Sequence, residues 1–256
     1  MNVPRFLVKG FKVIDTIATG VVYLGKVEKG DTEEFLVQVE SGLVILKILY
    51  PGFGRERYGS DVHRFLADKD MAPKLYGTTS PIPQPFSSKI PLEAYIYMEY
   101  LAPPSNTSPK GWISLHDLGI DYCVVASANK GKIRTAINAI ISALQERRYV
   151  HGDFRPNNIM IYIDITSPCT LILNENNSLC IKVIDFDWSG TASTMAHPTD
   201  IRYPPSLNQS VEWPGKPGRP IKADDDADMV QTWMNKWPPP ENVPEHHSVQ
   251  GVGKLF

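Results

Sequence analysis

Hydrophobic and polar positions change rhythm about two fifths of the way along this chain. Before that point, Phe11 to Ile17, Gly20 to Val27, Phe35 to Val39 and Leu43 to Leu49 are dense in Val, Ile, Leu, Tyr and Phe. Gly, Asp and Ser-Gly turn signals separate them, a pattern that predicts strands. Leu92 to Leu101, Leu-Glu-Ala-Tyr-Ile-Tyr-Met-Glu-Tyr-Leu, predicts one more. A single helix interrupts the strands, roughly Tyr58 to Lys69, with Val62, Phe65 and Leu66 on one face. Pro103 and Pro104 stop the last strand, and a polar Ser/Asn/Thr/Pro stretch follows.

Beyond it the period becomes helical. Lys132 to Tyr149 places Ile133, Ile137, Ile140, Ile141 and Leu144 on one stripe, which predicts a helix with a buried face. Val150-His151-Gly152-Asp153 then reads as a turn, followed by short apolar strands at Asn158 to Ile163 and Leu179 to Phe186. The final third, with Arg202-Tyr203-Pro204-Pro205, Trp213-Pro214 and Trp237-Pro238-Pro239-Pro240, reads as loop-like. No internal repeat is present. The expected architecture is α+β, a strand-rich lobe and a helical lobe joined at a Pro-marked hinge, and ligands favour such lobe interfaces.

Charge and cysteine content narrow the setting. Lys and Arg number 26 against 28 Asp and Glu, a net charge of −2, and no basic run reaches the density that phosphate-backbone binding needs. Nucleic acid is therefore not an expected partner, and neither is a membrane, because no apolar window is long enough to span a bilayer. The N-terminal Met-Asn-Val-Pro-Arg-Phe-Leu-Val-Lys lacks the apolar core of a signal peptide, so a cytoplasmic location is expected, with the nucleus as the other choice. Cys123, Cys169 and Cys180 are odd in number and widely spaced, with no C-x-x-C pair for a metal or redox motif. Cys169 and Cys180 flank a stretch that could form a hairpin and so could pair, but three reduced thiols are expected.

Two stretches carry chemistry. One is His151-Gly152-Asp153-Phe154-Arg155-Pro156-Asn157-Asn158-Ile159, and the other is Ile181-Lys182-Val183-Ile184-Asp185-Phe186-Asp187-Trp188. An Asp and an Asn five residues apart on one loop can orient a hydroxyl, accept its proton and ligate a cation. A second Asp at the end of a buried strand can supply a further oxygen ligand. Phosphoryl transfer from ATP needs these parts, because a carboxylate must take the acceptor's proton while oxygen ligands hold Mg²⁺ on the phosphates.

In these residues the chain resembles the protein kinase superfamily. His-Gly-Asp-Phe-Arg-Pro-Asn-Asn-Ile stands where that superfamily has H-R-D-x-x-x-x-N, and Asp185-Phe186-Asp187 stands where it has D-F-G. It is most similar to a fungal protein-kinase-like group with H-G-D-x-R-x-x-N-I and I-D-F-D-W motifs. Arg202-Tyr203-Pro204, Leu207-Asn208, Trp213-Pro214 and Asp225-Asp226 match that group further downstream.

The resemblance implies a two-lobed protein-kinase-like fold, with an antiparallel-sheet N-lobe carrying one helix and a shortened helical C-lobe. The N-lobe would cover about 1–98, the hinge about 98–104 and the C-lobe about 105–236, with a Pro-rich tail at 237–256. It implies ATP and Mg²⁺ as cofactors, Asp153 as the proton acceptor, Arg155 on the transferred phosphate, and Asn158 and Asp185 as metal ligands. Lys47, in a V-A-I-K-like strand, would meet the α- and β-phosphates, with Asp61 as its acidic partner and Glu56 as the rival for that role. Met98, Glu99, Tyr100 and Leu101 would form the adenine-binding hinge, and Gly20 is what remains of a glycine-rich phosphate turn. Asp187 occupies the place of the D-F-G glycine, and Gly152 that of the usual Arg.

The implied activity is transfer of the γ-phosphoryl group of ATP to a hydroxyl by a Ser/Thr-type protein kinase, the acceptor being a protein. Two alternatives stand beside it. One is a phosphotransferase acting on a small-molecule hydroxyl, like aminoglycoside and choline kinases, which the His-Gly-Asp and Asp-Phe-Asp triplets resemble. The other is a pseudokinase that acts as a binding scaffold.

Overall fold

The computed structural model describes residues 11–18, 22–27, 42–49, 58–79, 94–192 and 212–239. Contacts divide these residues into two units. The first holds residues 11–49, 73–79 and 94–100 of that set; the second holds 58–72, 101–192 and 212–239.

The first unit is an antiparallel sheet of β1 (Phe11–Ala18), β2 (Val22–Val27), β3 (Leu43–Leu49), β4 (Leu75–Thr79) and β5 (Ala94–Glu99) in the order β1-β2-β3-β5-β4. The central strand β3 explains why Leu-Val-Ile-Leu-Lys-Ile-Leu reads as an unbroken apolar run instead of an alternation. Val44, Leu46 and Ile48 join Phe11, Tyr23, Tyr95 and Tyr97 in a core on one face. Ile45, Lys47 and Leu49 point to the opposite face and are buried as well. β4 has no clear strand pattern in the sequence because Gly77 sits inside it and its ladder to β5 slips between Leu75 and Gly77. β5 ends at Glu99, not Leu101; the Glu99 N–H instead donates to the Lys74 carbonyl at 2.9 Å. The strand expected at 35–39 lies outside the described residues.

The second unit contains α1 (Ser60–Ala67), β6 (Lys110–Ser114), α2 (Leu115–Asp121), α3 (Cys123–Glu146), β7 (Tyr149–Val150), β8 (Ile159–Asp164), β9 (Thr170–Leu171), β10 (Ile181–Val183), β11 (Gly190–Thr191) and α4 (Asp225–Lys236). Its pairings are antiparallel: β10-β8-β6 with β9 added to β8, and β11 with β7. Val62 and Leu66 of α1 share one core with Leu118 of α2, Ile137 and Ile140 of α3, Ile161 of β8 and Met229 of α4. The helix expected to serve the strand-rich lobe thus buries its apolar face among the helices that follow. The chain as described is α+β with antiparallel sheets.

Three departures from the sequence pattern have local causes. α3 begins at Cys123, nine residues before the expected start, because its first turns bury only Ala126 and show no apolar stripe. It stops at Glu146 with Arg148 in the left-handed region (φ 57), where no glycine announces the end. α4 falls in the Pro-rich final third that reads as loop-like, and α2 where the sequence pattern predicts no element. Both begin with polar signals: the Ser114 hydroxyl accepts the Asp117 N–H at 3.0 Å, and Asp225, Asp226 and Asp228 crowd the first turn of α4, where the helix dipole favours negative charge.

Among the described residues no helix is long and apolar enough to cross a membrane. Cys123, Cys169 and Cys180 are free thiols, and burial pushes those of Cys169 and Cys180 up from their ordinary value.

Candidate functional site

The loop that bears Asp153 is anchored through its backbone. After β7, two successive N–H groups donate to one carboxylate of α4: His151 N to Asp226 Oδ2 at 2.6 Å and Gly152 N to Asp226 Oδ1 at 2.9 Å. Burial pushes the Asp226 carboxyl up to about 6; these two bonds pull it down and neighbouring Asp225 pushes it up. The His151 ring, fully buried, lies 3.0 Å by Nε2 from the Ile184 carbonyl and receives the Asp153 N–H on Nδ1 at 3.3 Å. A carbonyl can only accept and an amide N–H can only donate, so this geometry assigns the neutral ring with its hydrogen on Nε2.

The second stretch meets the first through the β8–β10 ladder. Val183 pairs with Ile159, and the Ile184 N–H donates to the Asn158 carbonyl at 2.9 Å. In an antiparallel pair the residues just past one strand lie beside those just before the other, so Ile184 comes next to Asn158 and Asp185 follows it, close enough for its charge to act on Asp153. Asp185 is half-buried with φ 67, a left-handed conformation that costs a residue with a Cβ on the order of 1 kcal/mol and that concentrates at functional sites.

Asp153 is only 4% exposed. Its Oδ2 accepts Arg155 Nη2 at 2.9 Å and Asn158 Nδ2 at 2.8 Å, while Oδ1 is buried with no hydrogen-bond partner among the described residues. Burial pushes its carboxyl up to about 7; the Arg155 charge pulls it down, the Asp185 charge pushes it up, and bonds from Asn158 and Arg155 pull it down. A carboxylate that titrates near neutrality and offers one empty acceptor position suits proton transfer from a hydroxyl. The Arg155 guanidinium also lies 6.0 Å from the centre of the Trp213 ring.

Asn158 uses its amide hydrogens on Asp153, one acceptor being Oδ2 and the other the main-chain oxygen at 3.0 Å. Its side-chain oxygen is the atom left to meet a hard cation, and Asp185 adds a carboxylate. Among the described residues no cluster of three or more His, Cys, Asp or Glu could hold a metal alone. A pair of oxygen donors fits Mg²⁺ shared with phosphates, since that ion keeps waters and substrate oxygens as its other ligands.

The remaining expected residues are distributed as follows. Lys47 is buried on β3, which argues against a strand lysine reaching for solvent. Met98 and Glu99 close β5, and Glu99 Oε2 accepts the Lys74 N–H at 2.9 Å. Tyr100 is half-buried, and burial followed by the Asp15 charge pushes its phenol up. Leu101 belongs to the second unit, packed with Met160 and Ile184. Asp61 stands on the exposed side of α1, away from its buried Val62, His63 and Leu66. Gly20 and Glu56 lie outside the described residues.

Sequence reasoning does not find His63, Tyr58 or the anchoring role of Asp226. His63 stacks on Phe186 with ring centroids 4.3 Å and planes 6° apart, and its Nδ1 shares a hydrogen bond with the Tyr58 hydroxyl at 2.6 Å. A histidine on the apolar stripe of α1 is the one signal the sequence offers. For Asp226, the signal is a run of acids at a helix start, which cap and dipole preferences explain equally well.

A scan against protein-family models finds no match for this chain, and a search of curated proteins finds none either.

Proposed function

We propose that this chain is an ATP- and Mg²⁺-dependent phosphotransferase with a two-lobed, protein-kinase-like fold, acting as a Ser/Thr-type protein kinase on a hydroxyl acceptor. The observation that carries this reading is Asp153: buried, held at Oδ2 by two donors, empty at Oδ1, on a loop whose backbone is tied down by Asp226. An acceptor hydroxyl would donate to Oδ1 and pass its proton there as the new O–P bond forms and the bond to ADP breaks. Arg155 would face the charge that develops on the transferred group, and Lys47 the α- and β-phosphates. Asn158 and Asp185 would hold Mg²⁺, which would supply positive charge to neutralise the phosphates.

Titration calorimetry with Mg²⁺-ATP, followed by phosphotransfer assays on protein and small-molecule acceptors, tests the reading. Nucleotide at a hundred times its dissociation constant should stabilise the protein by about 2.7 kcal/mol. Asp153→Asn should abolish transfer while ATP still binds; Asp185→Asn should weaken both, because it strips charge from the metal site. Transfer only to small molecules would replace the protein-kinase reading with the small-molecule one. No binding at millimolar Mg²⁺-ATP would refute both and favour the scaffold.

A further inference from the structure

Trp188 has no part in the chemistry above, yet the backbone around it is gripped from two sides. On one side the Gly59 N–H donates to the Phe186 carbonyl at 2.9 Å, and a Cβ at 59 would lie 2.5 Å from Ser189 Cβ. On the other, Gly152 has φ +82, and a Cβ there would lie 2.6 Å from the Trp188 carbonyl oxygen and 3.1 Å from Trp188 Cβ. Only glycine at both positions lets residues 186–189 come this close.

The Trp188 ring meets Trp213 with centroids 4.9 Å apart and planes tilted by 54°, and both rings pack on the buried trio Val150, Ala192 and Ile221. Beyond Trp188 the chain stays on the same support. Ser189 Oγ donates to the His151 carbonyl at 2.9 Å, β11 pairs with β7, and the Ala192 N–H donates to the Arg148 carbonyl at 2.7 Å. Gly152 is therefore not a bare omission of a longer side chain; the space beside it is occupied by Trp188.

We propose that Trp188 is a positioning residue: seated over Gly152 and against Trp213, it holds the segment that starts at Asp185 onto the loop of Asp153. The spacing between the two carboxylates is then set by aromatic packing and main-chain hydrogen bonds. The kinetic half of this inference rests on the function proposed above; the structural half does not.

The test uses the full chain and its Trp188→Ala and Trp188→Phe variants, read by amide hydrogen exchange and by Mg²⁺-ATP turnover. Trp188→Ala should speed exchange at the amides of Ser189 and Ala192 by about tenfold or more while α3 stays protected. Its kcat should fall about tenfold with the KM for ATP little changed, and Trp188→Phe should restore most of both. Unchanged exchange in Trp188→Ala overturns the lock. If Trp188→Ala loosens α3 too, the Phe variant decides: full exchange protection with kcat still lost overturns the positioning role. A wild type that binds no ATP refutes the function instead, and the exchange measurements still decide the lock.

Discussion

Replacing Asp226 with Ala removes the two oxygens that accept the His151 and Gly152 N–H groups at 2.6 and 2.9 Å. Two buried donors are then stranded, at about 1–3 kcal/mol each. Against this, the variant no longer has to ionise a carboxyl inside the protein. The folded group titrates at about 6 and its ordinary value is 3.8, so the folded state binds more protons between those values and wild-type stability falls as pH rises through that window. At about 1.4 kcal/mol per pH unit, the interval amounts to about 3 kcal/mol, fully present below pH 4 and lost above pH 6. The penalty of Asp226→Ala should therefore be largest near pH 4 and shrink by about 2–3 kcal/mol by pH 7. All five tryptophans, at 112, 188, 213, 233 and 237, lie in the second unit, so urea unfolding followed by tryptophan fluorescence reports on the unit that Asp226 belongs to. A penalty that is the same at pH 4 and pH 7 would show that Asp226 ionises in the folded protein as it does in water, and would refute the account of its burial.

Three further outcomes are expected. Lys47→Met keeps the aliphatic bulk of the buried strand position and removes the ammonium, so on the function proposed above ATP affinity by calorimetry should drop about tenfold or more; equal affinity would remove Lys47 from the proposed phosphate contacts. His63→Ala deletes the ring stacked on Phe186 and should cost about 2–4 kcal/mol, with His63→Phe losing less because the stack survives; equal losses would show that stacking contributes nothing. Ser114→Ala removes the N-cap acceptor of α2 and should lower stability by about 1 kcal/mol, measured by the same fluorescence assay; a neutral result would mean that packing alone sets the start of that helix.

Elements with a strong hydrophobic period are legible in the chain itself. The apolar run of β3 and the isoleucine stripe of α3 need only local information, because burial of a continuous face leaves a matching rhythm in the chain. Where the face is narrow, as in the first turns of α3, or where a glycine breaks the ladder, as in β4, that rhythm is missing and nothing local announces the element. Among the candidate site residues, the spacing of Asp153, Arg155 and Asn158 is likewise local: one loop and one 3₁₀ turn, Pro156–Asn158, place them within hydrogen-bond reach.

The sequence alone determined which residue types stand together along the chain: an Asp and an Asn on one turn, a second Asp at a strand end, glycines at 59 and 152. What they touch was decided by tertiary structure. Asp226 reaches His151 and Gly152 across more than seventy residues, and the β8–β10 register brings Ile184 to Asn158. His63 lands on Phe186 because α1 buries its face with the helical unit. The physical reason is the same in each case. A hydrogen bond or ring stack between distant segments is fixed by how whole faces pack, and packing leaves no period in the segments it joins.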